Sequence, residues 1–479
     1  MKVLAILHRW LGVALFLLFG MWFATGAIMM YVPFPSLPAS EAIAQSPPIK
    51  DSQLGSLPDT LRAAGLYSLR RLRLRSFDER PLLITERETG GLAAHFADTG
   101  EAFEGIDAEE AGQLARRFAN QAVREVEGPI DYDQWVVHQQ FDPFRPMFRV
   151  SLNDSAGTQL YVSQTSAEVV QRTTRQQRQW NSVGAVLHWI YPTVIRKDWR
   201  LWDGLVWWLS LAGLVGALSG VALGVLRLRK RRDNNRLGSP FVGWLWLHHV
   251  LGLVFGVVVV TWIFSGWLSM DHGRLFSEPN PTALQIGEFR GLSLNKAFQG
   301  LSEAALNSFS GAAEVEISAI DGKPLIITRR ANKTDVTVID GSDDLAPLSP
   351  ATVASAIASA WPGNSIVNRH SISPTDSYGN LREGALGPDV MRFVLNDDGQ
   401  TWVHVDMSNG SIVSVMDRSR RTYRWLYNGL HSLDFPGLAD RRPLWDILML
   451  VLLAGGFAFS VTAAVIGYRR LILTFRSTR

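Results

Sequence analysis

The sequence of 479 residues predicts an integral membrane α-helical protein with four spanning helices, internally duplicated, bearing two α+β domains on one side of the bilayer. Three observations predict it. Apolar residues collect into four runs of spanning length, the two long segments between them show strand-like alternation, and the chain repeats its histidine motifs some 240 positions apart.

The spans come first. A hydrocarbon core of about 30 Å requires about 20 apolar residues in helical conformation. Such runs lie near Leu11–Tyr31, Leu201–Leu226, Phe241–Met270 and Leu444–Gly467. Hydrophobic residues are 47% of the chain and charged residues 19%, a balance that leaves the remaining segments polar enough to fold in water. Ala42-Ile43-Ala44 resembles a signal-peptide cleavage site. The apolar run before it is about twice the usual signal length, so it is read as a retained helix.

Charge sets the expected orientation. Arg227, Arg229, Lys230, Arg231, Arg232 and Arg236 fill the link between the second and third spans, Lys2 and Arg9 accompany the first, and Arg469, Arg470, Arg476 and Arg479 follow the fourth. Short basic loops stay in the cytoplasm, which places both termini and the link inside and the two long segments outside. The pI of 9.1 therefore needs no nucleic-acid partner. Cysteine is absent, which excludes thiolate iron–sulfur clusters, covalent c-type haem and Cys zinc sites.

The expected organisation is a first spanning helix in 1–31, a first outer domain in 32–179, an interfacial helix and second span in 180–232, and a link in 233–240. A third span in 241–270, a second outer domain in 271–424, and an interfacial helix, fourth span and tail in 425–479 complete it. Pro33, Pro35, Pro38, Pro47 and Pro48 stop the first helix. In the first outer domain, alternation predicts strands at Leu69–Leu74, Leu82–Thr85, Met147–Asn153, Gln159–Val162 and Glu168–Gln171, with a helix at Glu109–Val123. In the second it predicts strands at Glu314–Ile320, Pro324–Thr328, Val390–Asn396, Thr401–Asp406 and Ser411–Met416, with a helix at Pro350–Ala360. Asp321-Gly322 and the run from Asn396 to Gly399 read as hairpin turns. Each outer domain is expected to be a helix packed on an antiparallel sheet. Trp180–Ile195 and Trp425–Phe435 are apolar but too short to cross, and read as interfacial. Trp189, Tyr191, Trp199, Trp202, Trp425, Tyr427 and Trp445 form the expected aromatic belt.

The repeat carries the functional reading. His8-Arg9-Trp10-Leu11-Gly12 is answered by His248-His249-Val250-Leu251-Gly252, and Trp22-Phe23-Ala24-Thr25-Gly26 by Trp262-Ile263-Phe264-Ser265-Gly266. His188 is answered by His431, each followed 14 and 15 residues on by a Trp-Asp pair, Trp202-Asp203 and Trp445-Asp446. Phe148-Arg149-Val150-Ser151-Leu152 answers Met391-Arg392-Phe393-Val394-Leu395 at the same offset. Parallel repeats pack about an axis along the membrane normal. His8 should then face His248 near one surface, and His188 should face His431 near the other.

Two converging imidazoles suit a six-coordinate haem iron. A structural zinc ion wants four ligands together, which two separated pairs do not offer. The expected cofactors are therefore two non-covalent haems b, one held by His8 and His248, the other by His188 and His431. His249, about 100° round the helix from His248, stands as an alternative ligand or a propionate contact. Arg9, Arg196, Lys197, Arg441 and Arg442 are further candidates for propionates. Gly12, Gly20, Gly26, Gly252, Gly256 and Gly266 offer either close helix approach or room for a macrocycle. His95, His138, His272, His370 and His404 have no histidine counterpart and read as surface or loop residues.

These motifs, with Gly184-Ala185-Val186-Leu187-His188, Gly429-Leu430-His431, Pro443-Leu444-Trp445-Asp446 and Asp321-Gly322-Lys323-Pro324-Leu325, resemble the PepSY-associated transmembrane family, iron-regulated inner-membrane proteins that include ferric-siderophore reductases. The resemblance covers essentially the whole chain. It implies PepSY-like periplasmic domains, a bacterial inner-membrane location, b-type haem on histidine, and reduction of a periplasmic ferric siderophore or other ferric chelate. The electron donor would be a quinol or a cytoplasmic reductase, since the inner segments are too short for a flavin or nicotinamide domain. The alternatives are a non-redox membrane protein that binds or inhibits a periplasmic peptidase or envelope partner, a haem cytochrome serving another oxidant, and a metal permease.

Overall fold

A computed structural model describes residues 1–50, 69–88, 90–230, 237–271, 275–276, 281–301, 303–340, 344–382 and 384–477. Four helices are long and apolar enough to cross a membrane: Lys2–Met29, Trp199–Leu226, Gly243–Leu268 and Leu444–Ser477. The chain is thus a multi-pass membrane protein. The helices form a closed ring in which the first packs on the second and fourth, and the third does the same. Phe23, Leu214, Val259, Trp262, Ile263, Met449 and Leu453 fill the ring's interior. Between the fourth helix and its neighbours the approach is close. A Cβ on Gly455 would lie 2.3 Å from the Phe255 ring, and one on Gly456 2.5 Å from that of Phe23. Small residues at such crossings let backbones approach.

The long segments between spans one and two and between spans three and four lie on the same side of this ring, here the sheet side. Each contributes one four-stranded antiparallel sheet. The first runs through Val123–Ile130, Met147–Leu152, Gln159–Ser163 and Val169–Thr173, with helix Ala108–Ala119 packed on it through Ala111, Ala115 and Phe118. The second runs through Ile366–Ser371, Val390–Leu395, Trp402–Asp406 and Ser411–Met416 beneath helix Pro350–Ala360. The helix expected over Glu109–Val123 stops earlier. Asp107 and Glu110 form a capping box at its start, Asn120 takes a left-handed conformation (φ 49°) at its end, and Val123 already belongs to a strand.

The remaining strands merge into one sheet. Leu92–Phe96, Arg80–Arg87 and Leu69–Phe77 from the first segment continue into Glu314–Ile320, Lys323–Arg330, Lys333–Asp340 and Asp344–Pro347 from the second. The junction is antiparallel, with Leu72 opposite Ile317 and Leu74 opposite Val315. One core lies beneath it, drawn from Leu72, Leu74 and Leu83 on one side and Phe298, Phe309, Val315 and Ile317 on the other. Above it runs a buried ionic lattice. Arg71 grips Glu316 at 2.9 and 3.0 Å, Arg73 bridges Glu168 and Glu314, Arg75 reaches Glu168 at 2.6 Å, and Arg329 binds both Glu314 and Glu316. Asp321-Gly322 forms the two-residue hairpin turn that its sequence predicts, with φ of 52° and 73°.

Candidate functional site

The helix periodicity places His8 and His248 near the starts of the first and third spanning helices, which lie diagonally across the ring. His188 ends the short helix Ala185–His188, and His431 follows a π-helical turn, Trp425–Gly429. Both short elements pack against the sheet-side ends of those same two helices. The chain brings together the two pairs that the repeat implies. Ring centroids are 6.3 Å apart for His8 and His248 and 6.4 Å apart for His188 and His431. Two imidazoles on opposite sides of one metal, with metal–nitrogen bonds of about 2.0 Å and about 1.1 Å from nitrogen to ring centre, would stand about 6.2 Å apart.

Each ring is held by its Nδ1. His188 Nδ1 lies 2.9 Å from Thr25 Oγ1, His431 Nδ1 3.0 Å from Ser265 Oγ, His248 Nδ1 2.9 Å from Thr462 Oγ1, and His8 Nδ1 3.0 Å from the Gly216 carbonyl. A hydroxyl has one proton. Thr25, Ser265 and Thr462 give theirs to the backbone carbonyls of Met21, Trp262 and Phe459 at 2.7, 3.0 and 2.6 Å. With their protons on those carbonyls they accept from the histidines, and the Gly216 carbonyl can only accept from His8. In that arrangement the four Nδ1 atoms carry the proton and the four Nε2 atoms present a lone pair. Outside the spanning helices, burial pushes the His188 imidazole down to about 3, reinforced by His431, and burial pulls His431 down as well. Both rings are thus in the neutral, ligating form.

Sequence reasoning quoted Thr25 and Ser265 as motif members without assigning them a role, and missed Ser219 and Thr462. Ser219 Oγ sits 3.4 Å from His8 Nδ1 and donates to Gly216 O at 2.7 Å. The offset of 243 that relates His188 to His431 also relates Ser219 to Thr462, and that was the available signal. The tryptophans 14 residues after each sheet-side histidine have a comparable role. Trp202 Nε1 donates to Trp189 O and Trp445 Nε1 to Ser432 O, both at 2.9 Å, fixing the peptide next to each histidine. Trp445 is 1% exposed and Tyr427 stacks on His431 at 5.6 Å, so these two belong to the site rather than to a lipid-facing belt.

A cavity of about 720 Å³ surrounds His8 and His248. Glycines and aliphatic side chains line most of it, Gly12 facing open space, and Arg9, Arg227, Arg469 and Arg470 complete its wall. The His8 ring lies so close to the second helix that a Cβ on Gly220 would fall 2.6 Å from its Cε1. Gly26 and Gly266 stand in matching places, each with its Cβ position 3.7 Å from Cε1 of His188 or His431. Seventeen residues at about 1.5 Å each separate His8 from Thr25, which puts about 25 Å between the two pairs along the first helix.

Other candidates resolve differently. His249 has both nitrogens engaged, Nε2 to Gly224 O and Nδ1 to Ser239 Oγ, each at 2.8 Å, which leaves it no free lone pair. Arg196 is 1% exposed and sits among Tyr191, Trp199 and Trp202. Arg442 pairs with Asp446, while Lys197 and Arg441 are exposed. His404 is not a surface residue: it is fully buried, and its Nε2 accepts from Arg392 Nε at 2.9 Å while Asp376 grips the same guanidinium. Arg149 and Asp133 make the equivalent pair in the first four-stranded sheet, with Tyr161 in the place of His404. His138 is exposed and caps a short 3₁₀ helix, and His370 is exposed on an edge strand. His95 is partly buried on strand Leu92–Phe96, and His272 lies outside the described residues. Among the described residues no group of three or more His, Cys, Asp or Glu could hold a metal ion. Each pair therefore offers two protein ligands and no more.

Fold and site define a multi-pass membrane protein with sheet domains on one face and two opposed imidazole pairs in and beside its helical ring. The chain belongs to the family described as the PepSY-associated TM region, whose pattern matches residues 5–470. No curated protein matches it.

Proposed function

We propose that this protein is an oxidoreductase that carries electrons across the bacterial inner membrane on two haems b, one between His8 and His248 and one between His188 and His431. The carrying observation is the pairing of the four imidazoles: every Nδ1 is within hydrogen-bond reach of a fixed oxygen, no Nε2 is engaged among the described residues, and the rings are paired at a spacing that would let both hold one iron. Such outer hydrogen bonds orient ligands and raise their basicity. A pair of imidazoles is too few for a bare cation, but suffices where a porphyrin supplies the other four nitrogens. The cavity around His8 and His248 has the volume usual for a cofactor site, apolar walls for a macrocycle, and arginines for its propionates.

Bound haem would supply one-electron redox chemistry at each level. The chain's own part is to hold the rings, exclude water with Phe23, Trp262 and their neighbours, and keep each imidazole in one tautomer. Basic residues gather at the His8 end, which supports a cytoplasmic reading of that end and a periplasmic one of the sheets. The acceptor is a periplasmic ferric chelate such as a ferric siderophore, consistent with the family resemblance. Hard anionic oxygens hold ferric iron far more tightly than ferrous, so one electron loosens the metal without acid or base catalysis. The donor is a membrane quinol or a cytoplasmic reductase. The matched positions of both pairs and their hydroxyl partners support an internal duplication.

The test is the visible spectrum of the purified protein. The expectation is a Soret band, sharp α and β bands on reduction, and two haems per chain by pyridine haemochrome, with His431→Ala or His188→Ala removing one. A colourless preparation from haem-replete cells would instead favour a non-redox protein that binds a peptidase or envelope partner.

A further inference from the structure

The tryptophans that fix the sheet-side ligands each carry a guanidinium on their face. Arg196 lies 4.7 Å from the Trp202 ring centroid, and Arg382 lies 3.6 Å from that of Trp445, nearer than Arg442, which stands at 5.2 Å and pairs with Asp446. The tryptophans correspond in the repeat, but the arginines do not. Arg196 comes from the short helix Thr193–Arg196, whereas Arg382 comes from the loop between strands Ile366–Ser371 and Val390–Leu395, and Ala439 stands where the repeat would place the counterpart of Arg196. Two unrelated stretches of chain thus deliver the same charge to the same place. Simple inheritance of a repeated residue does not produce this.

Arg196 is also held at a cost. It is 1% exposed, its Nε has no hydrogen-bond partner, and aromatic rings rather than carboxylates surround its guanidinium, with Tyr191 at 5.0 Å and Trp199 at 4.8 Å. A buried charge without a carboxylate is expensive, and cation–π contact recovers part of that. A carboxylate partner would have cancelled the positive field; the aromatic cage preserves it. The field reaches the ligand through a short path, from Trp202 to the Trp189 carbonyl and so to the residue beside it, His188.

We infer that Arg196 and Arg382 are positioning residues that hold positive charge beside the His188–His431 site and raise the reduction potential of the group bound there. A fixed cation disfavours whichever redox state carries more positive charge, and in a poorly solvated setting little water screens it. This rests on the haem reading above. The experiment is a redox titration of the full-length protein in detergent, followed by absorbance, with haem content measured in parallel. The expected result for Arg196→Met is that one of two titration steps moves to lower potential while the other stays and haem content holds. Arg196→Lys should restore most of the shift. Arg382 is exposed and its replacement threatens the fold less, so Arg382→Gln keeps the test open, with a smaller shift of the same step in the same direction. Two unmoved steps in Arg196→Met and Arg382→Gln overturn the inference, as does a lysine variant that shifts as far as methionine. A preparation with no redox-active chromophore sinks the haem reading instead.

Discussion

Thr25 Oγ1 lies 2.9 Å from His188 Nδ1 while its own proton reaches the Met21 carbonyl, so replacing it with valine removes one of the oxygens that hold the ring and leaves the Trp22 carbonyl. Losing such an outer partner costs about 10–100-fold in metal affinity. Thr25→Val and Ser265→Ala should each lower retained haem at the sheet-side site, and Thr25→Ser should preserve it, read by haemochrome after extensive washing. The ionic lattice makes a second residue-scale prediction. Burial pushes the Glu168 carboxyl up, but Arg73 and Arg75 outweigh it and hold the group well below the ordinary carboxylate range. Burial likewise opposes Arg71 and Arg329 at Glu316, which ends near 2. A depressed folded value means stability that is present above the ordinary glutamate pKa of about 4.3 and lost as pH falls toward the folded one. Thermal unfolding of the sheet domains should therefore drop steeply below about pH 4.3, and Glu314→Gln should cost about 3 kcal/mol at neutral pH, since it leaves a buried arginine short of a partner. The histidine pairs were legible in the sequence because histidine is rare in spans and recurs at fixed offsets. Their hydroxyl partners were not, since Thr and Ser are common in helices and only the fold aligns Thr462 with His248. His404 was misread because its strand is covered on both faces, burying Val403, His404 and Val405 alike.

At the scale of the element, the hairpin turn Asp78-Glu79 corresponds to Asp321-Gly322, yet it carries glutamate at φ 64° where the other carries glycine at φ 73°. A side chain in the left-handed region costs about 1 kcal/mol, more than the exposed Lys50–Glu79 ion pair returns. Glu79→Gly should raise the melting temperature by a few degrees, measured by fluorescence of the detergent-solubilised protein. Gly455→Ala should act in the opposite sense. Its methyl would meet the Phe255 ring and force the third and fourth helices apart at about 1–3 kcal/mol. The four spans and most strands were legible because periodicity and length report them directly. Strand Ile366–Ser371 escaped because it is an edge strand with five of its six residues exposed, so no buried face wrote an alternation into it. The helical stretch from Ala283 to Asn307 escaped because its pieces are only five to eight residues long.

For the whole molecule, the sequence read as two outer units in series, and the shared sheet was invisible to it. Pairing of Leu69–Phe77 with Glu314–Ile320 is a long-range contact with no local signature. Its energetics are nonetheless plain, since one core and one ionic lattice straddle the junction. Residues 1–240 expressed alone should be protease-sensitive and prone to aggregate, because strand Leu69–Phe77 would present an unpaired edge. Co-expression with 241–479 should restore protease resistance. If 1–240 alone proves resistant, the junction contributes little to either half.

That junction also imposes a timetable on biosynthesis. At ribosomal speeds of about 5–20 residues per second, Leu72 emerges on the order of tens of seconds before its partner Ile317 exists. Throughout that interval a strand rich in leucine and arginine waits with one flank open. A holdase that shields nascent β-edges would therefore govern the yield of this protein more than any feature of its spanning helices.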